Sequence, residues 1–296
     1  MTGTALRVAF LGTGLMGAPM AGHVAKAGCP LTVWNRNPEK ARVLIAHGAK
    51  HAESIDEAVR DADFVITMLS DGPAVAAVLL AERTLSALKP GAIAVDMSSI
   101  RPDEARDHAR HLKARGIGHL DAPVSGGTRG AEAGTLGIMA GGTEADFDRA
   151  LPVLSTMGRA TLVGPSGLGQ LAKLANQAIV GVTIGVVAEA TLLMREGGAD
   201  LARFRAALAG GFADSPILQV HGERMETGNY RPGGKVATQE KDMNNIMAEA
   251  GAIGLDLPLC RQVRDRFATL AARDGLGELD HAALFLELLE RNRQTG

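Results

Sequence analysis

Residues 166–194, SGLGQLAKLANQAIVGVTIGVVAEATLLM, carry only two charged side chains, Lys173 and Glu189. The pattern is that of a helix, with Lys173 near its start. Burying an unpaired ammonium costs several kcal/mol or more (roughly), so Lys173 points either into water or into a site that uses it. Gln170, Lys173 and Asn176/Gln177 lie three or four residues apart and share one helical face over two turns. Such a polar stripe on an apolar helix favours a site. An ammonium beside a carbonyl oxygen stabilises negative charge developing there and delivers a proton; the neutral amine takes it back from an alcohol.

A dinucleotide-binding pattern lies near the start of the chain. VAFLGTGLMGAPMAG holds Gly12-x-Gly14-x-x-Gly17 between an apolar strand and a helix. Gly12 permits the tight turn, Gly14 lets a pyrophosphate approach the backbone, and Gly17 lets helix and strand pack closely. The helix N-terminus favours phosphate charge. At the tip of the next strand, VWNRNPEK has no carboxylate for a ribose 2′-hydroxyl but offers Asn35 and Arg36. A guanidinium there suits a 2′-phosphate, so NADP(H) is expected over NAD(H). Further on, DAPVSGG exposes backbone N–H groups at Gly126 and Gly127 beside the Ser125 hydroxyl, a set suited to a carboxylate.

The elements that must position these groups alternate in the first half. Apolar strands at 6–11, 31–35, 63–69, 92–98, 118–127, 134–142 and 159–164 are separated by helical stretches, including one at 15–28 and one opened by Pro38. This alternation predicts a largely parallel sheet covered by helices. After 164 only helical patterns follow, near 167–196, 201–209, 216–227, 236–252, 258–273 and 280–291. The expected organisation is an α/β dinucleotide-binding domain of the Rossmann type over 1–164 and an all-α domain over 165–296.

Composition narrows the partners. The 296 residues have a net charge of −2 and only 3% aromatic side chains, so neither a nucleic acid nor an anionic membrane surface is indicated. Two distant cysteines, Cys29 and Cys260, form no disulfide framework and suit a cytoplasmic setting. The glycines at 12, 14 and 17 argue against reading the opening as a signal peptide. The uncharged run 174–188 is shorter than the ~20 residues that cross a bilayer, so no membrane span is expected. His47/His51 and His108/His111 have ligand-like spacing but are expected on surface helices without a third ligand, so no metal is expected. A helix of about 30 residues spans about 45 Å, more than a small helical domain covers alone. A homodimer or homotetramer burying the far part of 178–194 is therefore expected.

LGTGLMGAPMAGHVAKAG, NRNPEK, DAPVSGG, GQLAKLANQ and QEKDM occur in an order and spacing that resembles the β-hydroxyacid dehydrogenases across essentially the whole chain. The resemblance implies a Rossmann domain, a helical domain, and hydride transfer between a nicotinamide and a short β-hydroxyacid or semialdehyde carrying a carboxylate. It implies that Gly12, Gly14, Leu15, Met16 and Gly17 line the pyrophosphate turn and that Asn35 and Arg36 meet the adenosine ribose. Met68, Leu69 and Ser98 or Ser99 would lie along the nicotinamide half, with Lys241 and Asp242 closing over cofactor and substrate. Ser125, Gly126 and Gly127 would hold the substrate carboxylate, Lys173 would be the acid/base and Asn176 its companion. Gln177 departs from the second Asn common in the family. Residues 210–225, GGFADSPILQVHGERM, resemble chains that reduce tartronate semialdehyde to glycerate, which makes that reaction the first expectation and 3-hydroxyisobutyrate oxidation the second. An imine reductase fits less well because Lys173 is present. A catalytically silent dinucleotide-binding scaffold is the alternative of a different class.

Overall fold

A computed structural model describes residues 6–293. The chain divides into two compact units, Met1–Lys173 and Leu174–Gly296. The first opens with β1 (Val8–Leu11), α1 (Gly17–Lys26), β2 (Leu31–Trp34), α2 (Pro38–Arg42), β3 (Lys50–His51) and α3 (Ile55–Val59). It continues with β4 (Phe64–Thr67), α4 (Gly72–Leu79), α5 (Glu82–Ala87), β5 (Ile93–Asp96), α6 (Pro102–Lys113) and β6 (Gly118–Asp121). Then come β7 (Val124–Ser125), α7 (Gly127–Ala133), β8 (Leu136–Gly141), α8 (Glu144–Leu154), β9 (Gly158–Gly164) and the start of α9 (Leu168–Glu196).

The strands form one sheet in the order β3-β2-β1-β4-β5-β6-β8-β7, with β9 beside β8. From β3 to β6 all neighbours are parallel, so this part is the expected Rossmann-type α/β sheet. Beyond β6 the sheet turns antiparallel: β8 opposes both β6 and β7, while β9 runs parallel to β8. Successive residues of β1 serve opposite faces. Val8 and Phe10 enter one buried core with Met20, Val33 and Ile66; Ala9 and Leu11 enter another with Ile55, Val65 and Leu79. The order in which the strands are added reverses between the parallel neighbours β1 and β4. In such sheets a crevice opens at that point, outside the carboxyl ends of the strands.

Several local features differ from the sequence expectations. The stretch 118–127 is two strands, because Pro123 has no N–H to continue a ladder and the chain turns to pair with β8. The helix after Pro38 shortens to α2, capped by Asn37, and passes into a 3₁₀ turn at Val43–His47. The two-residue strand β3 has too little pattern to be read. His51 lies on β3 rather than a surface helix, and His108 is buried on α6.

The second unit continues α9 and adds α10 (Leu201–Leu208), α11 (Pro216–Thr227), α12 (Val236–Ala252), α13 (Pro258–Ala271) and α14 (Leu284–Arg293). Ile184, Val187 and Ala188 of α9 pack in one core with Met243, Phe267, Leu284 and Phe285. The last expected helix resolves into a 3₁₀ turn at His281–Ala283 followed by α14. The length argument against a membrane span fails, because α9 has 29 residues and is long and apolar enough to cross a bilayer. One face of it, with Ile184, Val187 and Ala188, packs into the core of the second unit, while only 33% of its most apolar stretch is buried.

Candidate functional site

The glycine turn has the geometry its spacing implies. Gly12 has φ +103°, and a Cβ there would lie 2.3 Å from the Met68 carbonyl oxygen. A Cβ on Gly17 would lie 1.9 Å from the Gly12 carbonyl oxygen, so α1 sits flush on the turn. Beside Gly14 no atom of the described residues stands within 4 Å of a Cβ position, and Leu15 is 83% exposed. The residue before α1, Met16, offers no side-chain cap to the first-turn N–H groups. An open glycine face at an uncapped helix start, at the carboxyl end of β1, fits a dinucleotide pyrophosphate.

Asn35 braces this turn. Its Oδ1 accepts the Thr13 N–H at 3.1 Å and its Nδ2 donates to the Asn37 carbonyl at 2.9 Å. Arg36 is exposed beside it. At the next strand ends, Met68 and Leu69 are half-buried. The Ser98 hydroxyl is buried and accepts the Leu69 N–H at 2.9 Å, while Ser99 is half-buried. Ser98 thus holds the β4 loop rather than presenting its side chain outward.

Ser125 ends β7, and Gly126 and Gly127 follow with φ +133° and +61°, both exposed. Only glycine takes two successive positive φ values without strain, and the turn leaves their backbone open to an anion. His23 on α1 places Nε2 at 3.1 Å from the Ala131 carbonyl oxygen and 3.0 Å from that of Glu132 on α7. Sequence reasoning did not single out His23; it ties the helix behind Ser125 to the helix behind the glycine turn.

Lys173 is half-buried on the second turn of α9. Just before it, the Asp121 carboxylate accepts the Gly167 N–H at 2.7 Å and the Gln170 N–H at 2.9 Å. Burial pushes Asp121 up to about 7 against these two bonds, with the Asp96 carboxylate adding to the rise. The Gln170 side chain is fully buried, donating to the Ser98 carbonyl at 2.7 Å and accepting the Ile100 N–H at 3.1 Å. Nothing local in DAPVSGG marks Asp121 as the cap of a helix 46 residues on.

In the second unit, Asn176 Nδ2 donates to Gln177 Oε1 at 2.8 Å, and Gln177 Nε2 donates to Asp242 Oδ2 at 2.8 Å. Gln239 Nε2 reaches the Gln177 carbonyl at 3.2 Å, and Lys241 Nζ lies 3.3 Å from Asp242 Oδ1. The departure at Gln177 is therefore an arm of one methylene more that engages a buried carboxylate on α12.

The NAD-binding domain of 6-phosphogluconate dehydrogenase matches residues 7–164, and the NAD-binding region of NADP-dependent 3-hydroxyisobutyrate dehydrogenase matches 167–288. The 2-hydroxy-3-oxopropionate reductase of Escherichia coli K12 is 44% identical over 97% of this chain and 99% of its own length. The chain belongs to the β-hydroxyacid dehydrogenase family. The 3-hydroxyisobutyrate dehydrogenase of Pseudomonas aeruginosa is 34% identical over 94% of this chain and 96% of its own. A solved 3-hydroxyisobutyrate dehydrogenase of Mycobacterium tuberculosis, with L-serine, superposes with a TM-score of 0.88 at 32% identity, covering 96% of this chain and 99% of that one. As a β-hydroxyacid dehydrogenase, the chain is an NAD(P)-dependent oxidoreductase.

A polar cluster that the sequence reading missed lies elsewhere in this β-hydroxyacid dehydrogenase. Ligand-type atoms of His221, Asp280 and His281 lie within 4.8 Å of one another. Asp280 is already engaged: its Oδ2 meets Arg224 at 2.9 Å and the N–H groups of Gly233 and Gly234, and its Oδ1 accepts from Ala282. A guanidinium on the carboxylate repels a divalent cation. The chemistry of this set is that of a brace joining α11 to the turn before α14.

Proposed function

We propose that this chain is an NADP-linked dehydrogenase that reduces 2-hydroxy-3-oxopropionate (tartronate semialdehyde) to glycerate, with Lys173 as acid/base. The 44% identity to the E. coli 2-hydroxy-3-oxopropionate reductase carries the choice of substrate. When bound, the nicotinamide supplies or accepts the hydride. Lys173 Nζ gives its proton to the carbonyl oxygen as the carbon takes the hydride, and recovers it from the alcohol in the reverse direction. Ser125 and the backbone of Gly126 and Gly127 hold the substrate carboxylate, and Asn176 orients the hydroxyl end. Gly12, Gly14, Leu15, Met16 and Gly17 receive the pyrophosphate, and Arg36, exposed beside the braced Asn35, meets the 2′-phosphate. Met68, Leu69 and Ser99 floor the nicotinamide half, and Lys241 and Asp242 contribute to cofactor binding. Oxidation of 3-hydroxyisobutyrate is the second reading, supported by the match over 167–288 and the P. aeruginosa relative.

The protein works as a cytoplasmic homodimer or homotetramer in this reading, without a nucleic-acid or membrane partner. Ile179, Val186 and Leu193 of α9 are 67%, 57% and 74% exposed and recur every seven residues, so they form one apolar line. A second copy of the chain is the partner that the line supports.

A substrate panel tests the assignment. Initial rates with tartronate semialdehyde and 3-hydroxyisobutyrate, each with both dinucleotides, are expected to give the highest kcat/KM for tartronate semialdehyde with NADPH. A higher value for 3-hydroxyisobutyrate would replace the first reading with the second. No turnover on any short β-hydroxyacid would return the chain to a binding scaffold.

A further inference from the structure

We infer that Asp121 and Gln170 are positioning residues that fix the height and rotation of the Lys173 ammonium through the first turn of α9. The inference rests on the reading of Lys173 as the acid/base. A helix start leaves four N–H groups without partners. Here two donors at the start of α9, Gly167 and Gln170, converge on the two oxygens of one buried carboxylate. That carboxylate sits at the last residue of β6, so the helix is capped by the sheet itself.

Four further contacts restrict the start of the helix. A Cβ on Gly169 would lie 2.3 Å from the Asp121 carbonyl oxygen and 2.5 Å from that of Met139, so the helix backbone lies directly against the ends of β6 and β8. The buried Gln170 amide bonds the Ser98 carbonyl with its donor and the Ile100 N–H with its acceptor, which fixes the rotation. Lys173 follows three residues later on the same face, about 4.5 Å further along the axis.

The floor expected for the nicotinamide has bonds of its own, which involve neither Asp121 nor Gln170. The Thr67 hydroxyl and the Ser98 N–H both donate to Asp96 Oδ1, and the Leu69 N–H donates to the Ser98 hydroxyl. Hydride and proton must reach adjacent atoms of one carbonyl, and a misplacement of about 1 Å can cost ~100-fold in rate.

The test uses Asp121→Asn and Gln170→Met, each alone and combined with Lys173→Ala, in the full-length protein. Asparagine keeps the shape but turns a donor toward one of two N–H groups; methionine keeps the volume and removes both side-chain bonds. Either substitution alone is expected to lower kcat about 10–100-fold. NADPH affinity, read by fluorescence titration, is expected to stay within about threefold, because the pyrophosphate turn is untouched. Added to Lys173→Ala, neither is expected to lower the residual rate further, because both act through Lys173. A loss that multiplies in the Lys173→Ala background would overturn the inference, as would near-normal kcat in both folded single variants. Should Asp121→Asn fail to fold, Gln170→Met carries the test. Failure of both to fold would make these residues parts of the fold rather than positioners, and also overturns it. Near-normal turnover of Lys173→Ala alone rejects the acid/base reading and the inference with it, an outcome distinct from the multiplicative one.

Discussion

Asp96 and Asp121 are register partners on the neighbouring parallel strands β5 and β6, and both are fully buried. Burial is the largest influence on each, raising Asp96 from 3.8 to about 6 and Asp121 from 3.8 to about 7. Between the ordinary and the raised values the folded protein holds protons that the unfolded chain has released. Each group therefore contributes stability that is fully present below about 3.8 and is lost as pH rises through its folded value. Among the described residues Asp96 Oδ2 has no hydrogen-bond partner, so an amide breaks no bond at that atom. Asp96→Asn is expected to gain on the wild-type melting temperature between about pH 4 and about pH 6.5 and to hold that gain, level, toward about pH 8. Thermal denaturation followed by circular dichroism across that range checks this; parallel curves would contradict it.

Cofactor choice is expected to depend on Arg36. Its side chain stands exposed beyond β2, while Asn35 is committed to the glycine turn. Arg36→Ala is expected to raise KM for NADPH about tenfold or more, since a charge-assisted contact is worth ~1.5–3 kcal/mol. KM for NADH should barely move, because NADH lacks the 2′-phosphate. A wild-type preference for NADH in steady-state assays would refute the assignment.

Binding and chemistry are expected to separate between Ser125 and Lys173. Ser125→Ala removes one donor from the proposed carboxylate cradle and should raise the substrate KM with kcat little changed. Lys173→Ala should leave dinucleotide binding intact and lower kcat by about 10²–10⁴-fold. Lys173→Arg should fail as well, because a guanidinium stays protonated and cannot accept the alcohol proton. Full steady-state kinetics in both directions distinguish the two residues; a change confined to kcat in Ser125→Ala would show that the cradle reading is wrong.

The apolar line on α9 gives an expectation for assembly. Val186→Glu places a charge midway along it, at a position 57% exposed within one chain. Light scattering at micromolar concentration is expected to show the wild-type protein as a dimer or tetramer and the variant as a monomer that keeps its helical signal. A monomeric, active wild-type protein would remove the basis for a second copy.

What the sequence reveals divides by range. Gly12, Gly14 and Gly17 were legible because a turn, an open face and a close contact each demand glycine within six residues. The α9 boundaries, read as 167–196, were legible because thirty residues of one texture leave little choice. Asp121 was visible but its partner was not: capping the start of α9 brings together residues 46 apart, which no periodicity reports. The same holds for Asp280, which gathers Arg224, Gly233 and Gly234 from a distant segment. The antiparallel return of β8 and the two-residue β3 also escaped, because strand direction and very short pairing depend on neighbours rather than on composition.

The capped start of α9 also makes the chain between Gly167 and Lys173 a counting device. Each residue of an α-helix adds about 1.5 Å and a turn of about 100°. One residue inserted between Gln170 and Lys173 would swing the ammonium to a different side of the helix while leaving every strand in place. One inserted before Gly167, in the exposed turn around Pro165, would leave the indexing intact. Length changes there should be tolerated, whereas the seven residues that follow form a block that can be transplanted into another scaffold only together with their aspartate.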